Sequence, residues 1–247
     1  MEWNSTLYDV KHDFVAEYGK GLLEFIPNNK KQTILDLGCG TGTLTVQLVC
    51  LGSKVIGVDS SHNMINKAKE QFSNIDFRVC DALDLPFEKE WDIVFSNAVF
   101  HWISDHNTLL HNIHRALKPQ GSLICEFGAN GNIATIENAF AEVCKDLGYD
   151  YQPKFNFPTV ESFGKLLENN GFIIDTIYDY DRPTALKDGK QGLVNWIKQF
   201  FASDLSAIPE ETQALIFERV AALTNHLLWN GKEWIADYRR LRAIAHI

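Results

Sequence analysis

Short apolar runs rich in β-branched residues alternate with longer segments of helical period between Thr33 and about Asn130. This alternation is typical of repeated βα units that build a parallel sheet. The predicted strands are Thr33–Leu37, Lys54–Asp59, Ile75–Cys80, Trp91–Ser96 and Ser122–Phe127. The predicted helices between them are Thr43–Leu51, Asn63–Gln71 and Asn107–Leu117. Pro119 and Gly121 stop the last of these helices.

The segments on either side of this core also have regular periods. Leu7 to Phe25 predicts one or two amphipathic helices, and two more helices are predicted after the core, at Ile133–Leu147 and Val160–Asn169. Two further strands are predicted at Phe172–Tyr180 and Trp234–Ala245, and the insertion between them, residues 187–231, predicts a helical cap. The pattern therefore predicts an α/β fold with a doubly wound, mostly parallel sheet.

Composition excludes several classes of protein. A chain of 247 residues with 45% hydrophobic residues can bury a full core, which excludes a disordered or fibrous protein. The longest apolar runs, Asp92–Phe100 and Phe172–Ile177, are far shorter than the roughly 20 residues that cross a bilayer, so we expect no membrane span. Residues 1–5 lack a basic patch followed by an apolar stretch, so we expect a cytoplasmic protein without a signal peptide.

The formal charge of −9 argues against a nucleic-acid partner, because such binding needs clustered Lys and Arg and only Arg239–Arg242 offers a cluster. We therefore expect a small-molecule partner, and either a monomer or a homodimer. The five cysteines form no C-x-x-C pair, which predicts reduced thiols that mostly lie in the core. No metal site is predicted.

The glycine-rich segment Ile34–Gly42, with the sequence ILDLGCGTG, is the strongest chemical signal in the chain. It predicts a buried strand, a turn and then the helix that begins at Thr43. Glycine has no Cβ, so its backbone can turn tightly and come into contact with a ligand. Three glycines that alternate with small residues are more than a plain tight turn requires.

Spacing favours one class of ligand for this turn. A dinucleotide-binding turn, G-x-G-x-x-G, would need glycine where the chain has Thr43. Asp59 ends the next strand about 20 residues downstream, where a carboxylate can accept hydrogen bonds from ribose hydroxyls in either class of site. Asp36, on the first strand, fits an S-adenosylmethionine site better, because its carboxylate can hold the ammonium group directly or through water.

In these ordered motifs, from about Thr33 to Phe127, the chain resembles the class I S-adenosylmethionine-dependent methyltransferases, which have a seven-stranded, Rossmann-like sheet. The resemblance implies an enzyme that uses S-adenosylmethionine and releases S-adenosylhomocysteine. It implies a single domain, with N-terminal helices in residues 1–30, the cofactor-binding core in 31–150, and C-terminal strands in 151–247 with the cap at 187–231.

The resemblance also assigns residues to the cofactor. The glycine turn lines the methionine and ribose portion, Asp59 binds the ribose hydroxyls, and Cys80–Phe87 resembles the motif that meets adenine. As an alternative, Asp81 and Asp84 cap a turn before Pro86. The residues predicted to bind the cofactor are Tyr8, Asp36, Gly38, Cys39, Gly40, Gly42, Asp59, Ser60, Met64, Asp81, Ala82, Leu83 and Asn97.

The segment Phe95–Trp102 ends the fourth strand, at the carboxyl edge where open α/β sheets bind ligands, so we expect the reacting methyl group there. The segment lacks the Asn/Asp-Pro-Pro-aromatic motif of amino-methylating nucleic-acid enzymes, and no Pro-Cys pair indicates covalent attack on cytosine. His101 is the predicted catalytic base for a hydroxyl or amine acceptor. Its alternative role is packing against Trp102.

Within the family, three short sequence motifs are most similar to those of the trans-aconitate methyltransferase group: Trp3-Asn4 with Tyr8, Ser96-Asn97-Ala98 with Trp102, and Lys118–Gly121. The likeness fades after about Asn130, and His101 and Gln120 stand where the group has Gln and Gly. The group resemblance favours methylation of an oxygen on a small organic acid.

The predicted substrate contacts are His12, Trp102, Trp196 and Arg239. The arginines of the last two strands, Arg182, Arg239 and Arg242, could offer a guanidinium fork to a carboxylate, or else be solvated or paired with acids. For Trp196 the alternative is ordinary helix packing. Two other functions stay open: a protein that binds S-adenosylmethionine or S-adenosylhomocysteine without catalysis, and a nucleotide-dependent oxidoreductase, which Thr43 disfavours.

Overall fold

The computed structural model describes residues 19, 21–27, 32–51 and 54–247. These residues form two compact units. The first unit holds the described residues up to Ala129, together with Phe155–Asp179 and Leu241–Ile247. The second unit holds Asn130–Lys154 and Tyr180–Arg240. The expected single domain, with its boundaries at residues 30, 150, 187 and 231, stays a prediction.

The strands are β1 (Thr33–Leu37), β2 (Lys54–Asp59), β3 (Asp76–Val79), β4 (Trp91–Asn97), β5 (Leu117–Gly128), β6 (Ile173–Asp181), β7 (Thr184–Ala185), β8 (Ile235–Ala236) and β9 (Arg239–His246). Seven of them form one sheet, as the resemblance predicts, and the structure gives their order as β3-β2-β1-β4-β5-β9-β6. In the second unit, β7 pairs with β8 in an antiparallel arrangement.

The first five strands are parallel, and the strand order reverses between β1 and β4. In open α/β sheets the carboxyl edge at such a reversal is where ligands bind. β9 runs antiparallel to β5, because Ile247 exchanges backbone hydrogen bonds of 3.1 Å with Gln120 and Gly121, near the beginning of β5. The sheet is therefore mostly parallel, and its glycine turn lies at the point of reversal.

The helices are α1 (Thr43–Cys50), α2 (His62–Gln71), α3 (His106–Ala116), α4 (Ala134–Asp146), α5 (Val160–Asn169), α6 (Gly192–Phe200), α7 (Ala202–Leu205) and α8 (Glu210–Leu228). Side-chain oxygens of Ser61, Asp105 and Thr159 accept N–H groups in the first turns of α2, α3 and α5 and so fix where these helices begin. Residues 21–23 are also helical, and most of the segment predicted as N-terminal helices lies outside the described residues.

Apolar residues cover both faces of the sheet in the first unit. Leu35 and Val94 pack in one buried cluster, whereas their neighbours Ile34, Ile93 and Phe95 pack in another. Successive residues of a strand point to opposite faces, so this division shows helices packed on both sides. Such coverage is characteristic of parallel sheets, whose strands are buried on both faces.

The last predicted strand, Trp234–Ala245, is wrong in one respect, because the chain forms β8 and β9 with a break between them. The Tyr238 N–H donates to the Ala236 carbonyl at 2.9 Å, and the Asp237 carboxylate accepts the Thr135 N–H at 2.8 Å. These bonds fold the backbone into a tight turn. The predicted helical insertion between the last two strands of the sheet is confirmed, since it contains α6, α7 and α8.

The five cysteines are free thiols, but the expectation that most lie in the core is wrong. Cys125 and Cys144 are buried, Cys39 and Cys80 are half-buried, and Cys50 is exposed at the end of α1. Among the described residues, no helix is both long and apolar enough to cross a membrane.

Candidate functional site

The glycine turn joins β1 to α1 in the first unit. Gly38, Gly40 and Gly42 have φ angles of +75°, +54° and +85°, in the left-handed region that favours glycine. A Cβ at Gly38 would overlap the Val99 side chain, and a Cβ at Gly42 would overlap the Phe77 ring. A Cβ at Gly40 would meet nothing within 4 Å. Packing therefore requires glycine at the first and third positions, whereas Gly40 borders open space that a ligand can enter.

Asp59, at the end of β2, is hydrogen-bonded to the glycine turn. Its Oδ2 accepts the Gly40 N–H at 3.0 Å, and its Oδ1 accepts the Ser61 N–H at 2.8 Å. Burial raises the pKa of this carboxyl, although the two N–H groups oppose the shift. Each carboxylate oxygen has a further lone pair, so Asp59 can also accept hydroxyl groups.

Asp36 lies on β1 directly before the turn and is only 2% exposed. Thr45, on α1, donates its hydroxyl to Asp36 Oδ2 at 2.6 Å. Burial raises the pKa of Asp36 to about 7, and the neighbouring Asp59 charge adds to the rise. A cation bound nearby would favour the ionised carboxylate and lower this pKa.

The motif predicted to meet adenine forms a short 3-10 turn, Ala82–Asp84. The alternative role predicted for Asp81 is confirmed, because its Oδ1 accepts the Leu83 N–H at 2.9 Å and caps this turn. Asp81 is exposed, while Ala82 and Met64 are buried. Ser60 is exposed after Asp59, and contact of these residues with the cofactor stays a prediction.

The carboxyl end of β4 turns sharply after Asn97. Ala98 has a φ of +62°, which is strained for a residue with a side chain, and its N–H donates to the Glu126 carbonyl at 2.7 Å. This turn brings the Val99 side chain against Gly38. The Trp102 N–H then donates to the Val99 carbonyl at 2.9 Å, so a second 3-10 turn, Phe100–Trp102, follows directly.

His101 is the middle residue of this second turn, and its side chain is buried. Its Nδ1 accepts the Gly128 N–H at 3.2 Å, which places the ring proton of the neutral form on Nε2. Its ring lies 5.4 Å from Trp102 and 5.7 Å from Phe157, between ring centroids. The packing of His101 against Trp102, predicted as its alternative role, is therefore observed. The role of catalytic base stays a prediction, and Nδ1 must release Gly128 before it can take up a proton.

The three arginines predicted to offer a guanidinium fork to a substrate carboxylate each interact with a side chain of the compact unit in which they lie. In the second unit Arg239 pairs with Asp181 at 2.8 Å, and Arg182 lies over the Tyr180 ring. In the first unit Arg242 Nε donates to the buried Glu126 at 2.8 Å. Pairing with acids, one of the predicted alternatives, is therefore observed for Arg239 and Arg242.

Trp196, a predicted substrate contact, is buried in the second unit. Its Nε1–H donates to the Tyr238 hydroxyl at 2.6 Å, and its ring packs against Phe200 and Phe201. This is the ordinary packing predicted as its alternative. A role for Trp196 in substrate binding stays a prediction.

The predicted cofactor residues from Asp36 to Asn97, along with His101 and Trp102, all belong to the first unit. The predicted residues Tyr8 and His12 lie outside the described residues. Sequence reasoning did not identify four residues that contact the predicted site residues or the glycine turn from separate elements: Thr45, Val99, Phe155 and Phe157. Among the described residues, no group of three His, Cys, Asp or Glu side chains is arranged to hold a metal ion.

Residues 35–125 match the methyltransferase domain family. An uncharacterized methyltransferase of Schizosaccharomyces pombe is 31% identical, over 99% of this chain and 97% of its own length. A trans-aconitate 2-methyltransferase of Deinococcus radiodurans is 29% identical, over 80% of each chain. The YcgJ protein of Bacillus subtilis has a similar solved structure, with a TM-score of 0.66 at 16% identity, covering 95% of this chain and 98% of its own.

Proposed function

This chain belongs to the class I S-adenosylmethionine-dependent methyltransferases, and from that premise we propose that it methylates a small molecule on a carboxylate or hydroxyl oxygen. S-adenosylmethionine is the methyl donor and S-adenosylhomocysteine the product. The family assignment sets aside an oxidoreductase and favours catalysis over simple binding. The Deinococcus relative, a trans-aconitate 2-methyltransferase, supports an organic acid as the acceptor.

The acidic composition, with a formal charge of −9, supports a small-molecule acceptor over a nucleic acid. We include in the proposal a cytoplasmic location and a monomeric or homodimeric state, both of which were expected from the sequence. The measurements that test these two statements are subcellular fractionation and light scattering of the purified protein.

One observation supports the cofactor site above all others: the open space at Gly40 lies beside the Asp59 carboxylate. A ligand that enters there meets a carboxylate suited to ribose hydroxyls and a backbone without a Cβ. Asp36, on the preceding strand, offers a carboxylate suited to the ammonium group. Asp81 and Ala82 are proposed to hold the adenine.

When bound, S-adenosylmethionine supplies an electrophilic methyl group that an acceptor oxygen attacks in line, with S-adenosylhomocysteine as the leaving group. The protein's part is to hold the acceptor oxygen about 3 Å from that carbon and to exclude water. A carboxylate acceptor is already ionised at neutral pH, so its methylation needs no base. For a hydroxyl acceptor we retain His101 as the proposed base, with the release of Gly128 as a required step.

The test is calorimetric titration with S-adenosylmethionine and, separately, S-adenosylhomocysteine. We expect micromolar binding by the wild type and a loss of about 100-fold or more in Asp59→Ala, since that variant loses hydrogen bonds to a charged group. Asp76→Ala is the matched control, because Asp76 is exposed and pairs with Arg78 on β3. Its affinity should equal that of the wild type.

Absence of binding of either ligand to the wild type would contradict the proposed function. Formation of S-adenosylhomocysteine in the presence of organic acids distinguishes an enzyme from a protein that only binds the cofactor.

A further inference from the structure

A buried ion pair links β5 and β9 in the first unit. Arg242, on β9, donates its Nε–H to the Glu126 carboxylate on β5 at 2.8 Å, and only 1% of Glu126 and 9% of Arg242 are exposed. Arg242 also donates an N–H to the Tyr178 hydroxyl on β6 at 3.2 Å. Separating a buried pair leaves an uncompensated charge, which is costly, so the Arg242 guanidinium is held at one place on the sheet.

The N-terminal segment, which we define as Gly19 and residues 21–26, lies on this guanidinium. The Arg242 Cζ is 5.3 Å from the centroid of the Phe25 ring, within the range of a cation–π contact. A Cβ at Gly21 would lie 3.7 Å from Arg242 Nη2, which is van der Waals contact. The segment therefore meets Arg242 through both a side chain and its backbone.

The same segment comes close to the carboxyl edge of the sheet. A Cβ at Gly19 would lie 2.5 Å from Leu44 Cδ1 and 3.0 Å from Asn97 Nδ2, so the backbone approaches both side chains directly. Leu44 is the second residue of α1, just after the glycine turn, and Asn97 is the last residue of β4. Ligands of open α/β sheets bind in the crevice where the strand order reverses, here between β1 and β4. The segment therefore borders that crevice.

Two contacts thus act on the same short segment. Phe25 rests on Arg242, and Gly19 rests on Asn97, a predicted cofactor residue. From these contacts we propose that Arg242 is a positioning residue for cofactor binding: its guanidinium holds the N-terminal segment against the carboxyl end of β4, where the segment forms one wall of the cofactor crevice. This inference rests on the proposed function, and it gives Arg242 a role other than a fork for a substrate carboxylate.

A wall that must be in place before the ligand binds affects the affinity directly. The apparent affinity falls in proportion to the fraction of molecules that have the binding-competent arrangement. Loss of a contact that exists only when the segment lies on Arg242 lowers that fraction. One partly exposed cation–π contact corresponds to a change of about fivefold in an equilibrium constant.

The test is calorimetric titration of S-adenosylhomocysteine into the full chain and its variants. Phe25→Leu keeps an apolar side chain but removes the ring, so its affinity should fall about fivefold, whereas Phe25→Tyr keeps the ring and should bind like the wild type. Phe217→Leu is the matched control, because the Lys198 Nζ also lies 5.3 Å from the Phe217 ring centroid, but in the second unit. Its affinity should be unchanged.

A double-mutant cycle tests whether Phe25 acts through Arg242. Arg242→Lys keeps a positive charge beside Glu126, but one ammonium cannot both pair with that carboxylate and cover the ring as the planar guanidinium does. Its affinity should also fall about fivefold, and the double variant should bind no more weakly than the weaker single variant, since both remove one contact. A side chain that only stabilises the fold would lower the free energy of unfolding without this non-additive loss of affinity.

A variant at Gly19 tests the wall itself and does not depend on Arg242→Lys folding. Gly19→Val should weaken binding about fivefold or more, because its side chain would overlap Leu44 and Asn97 and displace the segment from the crevice. An affinity of Gly19→Val equal to that of the wild type would show that the segment forms no part of the site and would overturn the proposal.

Binding by the wild type keeps the two proposals separate. If the wild type binds S-adenosylhomocysteine and Phe25→Leu binds it equally tightly, or if the losses in the cycle add, the positioning proposal is overturned and the methyltransferase proposal stands. An equal loss in Phe217→Leu and Phe25→Leu overturns it as well. If the wild type fails to bind S-adenosylhomocysteine, both proposals fail.

Discussion

At the scale of single residues, Asp36 links protonation to cofactor binding. Its carboxyl is buried, accepts a hydrogen bond from Thr45, and has a pKa raised to about 7 by burial and by the charge of Asp59. Without a cation, Asp36 is therefore partly protonated at neutral pH. A bound ligand with a positive charge favours the ionised form, so binding releases a proton.

We expect the affinity for S-adenosylmethionine to increase about tenfold between pH 6 and pH 8, because the ionised fraction of Asp36 increases through its pKa over that interval. In Asp36→Asn, which keeps an acceptor for Thr45 but cannot ionise, the affinity should be lower and nearly independent of pH. Calorimetry at pH 6, 7 and 8 measures both proteins. The same pH dependence in variant and wild type would contradict this assignment.

At the scale of elements, a polar contact fastens the amino ends of β1 and β4, opposite the glycine turn. Asp92 Oδ2 accepts the Thr33 N–H at 2.8 Å, the Thr33 hydroxyl at 2.7 Å and the Lys118 ammonium at 2.9 Å. Burial alone would raise the pKa of Asp92, but these hydrogen bonds outweigh it and lower the pKa below its usual 3.8. The contact joins β1, β4 and the beginning of β5.

Asp92→Asn should lower the free energy of unfolding at pH 7 by about 1 kcal/mol, a modest value because the Asp92 side chain is 36% exposed and screened by solvent. A carboxyl whose pKa is lower in the folded state than in the unfolded state stabilises the fold at pH values above its unfolded-state pKa. This stabilisation is lost as the pH falls through the folded-state pKa. The difference between variant and wild type should therefore shrink from pH 6 to pH 3 in urea unfolding. An equal difference at both pH values would contradict the account.

Binding of S-adenosylhomocysteine gives that prediction a second readout. The Asp92 contact lies at the amino ends of the strands, whereas the proposed cofactor residues lie at the carboxyl ends, so the affinity of Asp92→Asn should equal that of the wild type. Weaker binding would mean that the contact also positions the glycine turn.

Elements that rest on a local pattern could be predicted from the sequence. β1 and β2 have the predicted bounds, and α5 also matches its predicted range, because apolar spacing and capping residues act within one element. β5 begins at Leu117 instead of Ser122, since its first residue pairs with Trp91 across a register shift. That pairing depends on a distant strand, which no local pattern reveals.

The same distinction applies to the candidate site. The glycine turn and Asp59 belong to local motifs, so their proximity could be predicted from the parallel sheet. The hydrogen bond between Thr45 and Asp36 depends on which face α1 presents to β1. The hydrogen bond from Asn156 to the Ile103 carbonyl joins residues that are 53 apart in the sequence. Only the folded chain brings such residues together.

At the scale of the whole molecule, the described residues proposed to bind the cofactor all lie in the first compact unit. A ligand that binds only the folded state stabilises it by about 2.7 kcal/mol at 100 times its dissociation constant. For a chain of this size that energy corresponds to a rise in Tm of roughly 5–10 °C. This stabilisation applies to the unit that binds the ligand and to any part of the chain that unfolds cooperatively with that unit.

We therefore expect S-adenosylhomocysteine to raise the Tm of the transition that includes the first unit, as measured by differential scanning calorimetry. Asp59→Ala should show no such rise, since it lacks the carboxylate beside Gly40, whereas Asp76→Ala should shift like the wild type. If the heating curve has two transitions, only one should move, because a ligand held by one unit does not stabilise a unit that unfolds independently. A rise in Tm that persists in Asp59→Ala would place the ligand elsewhere and contradict the proposed site.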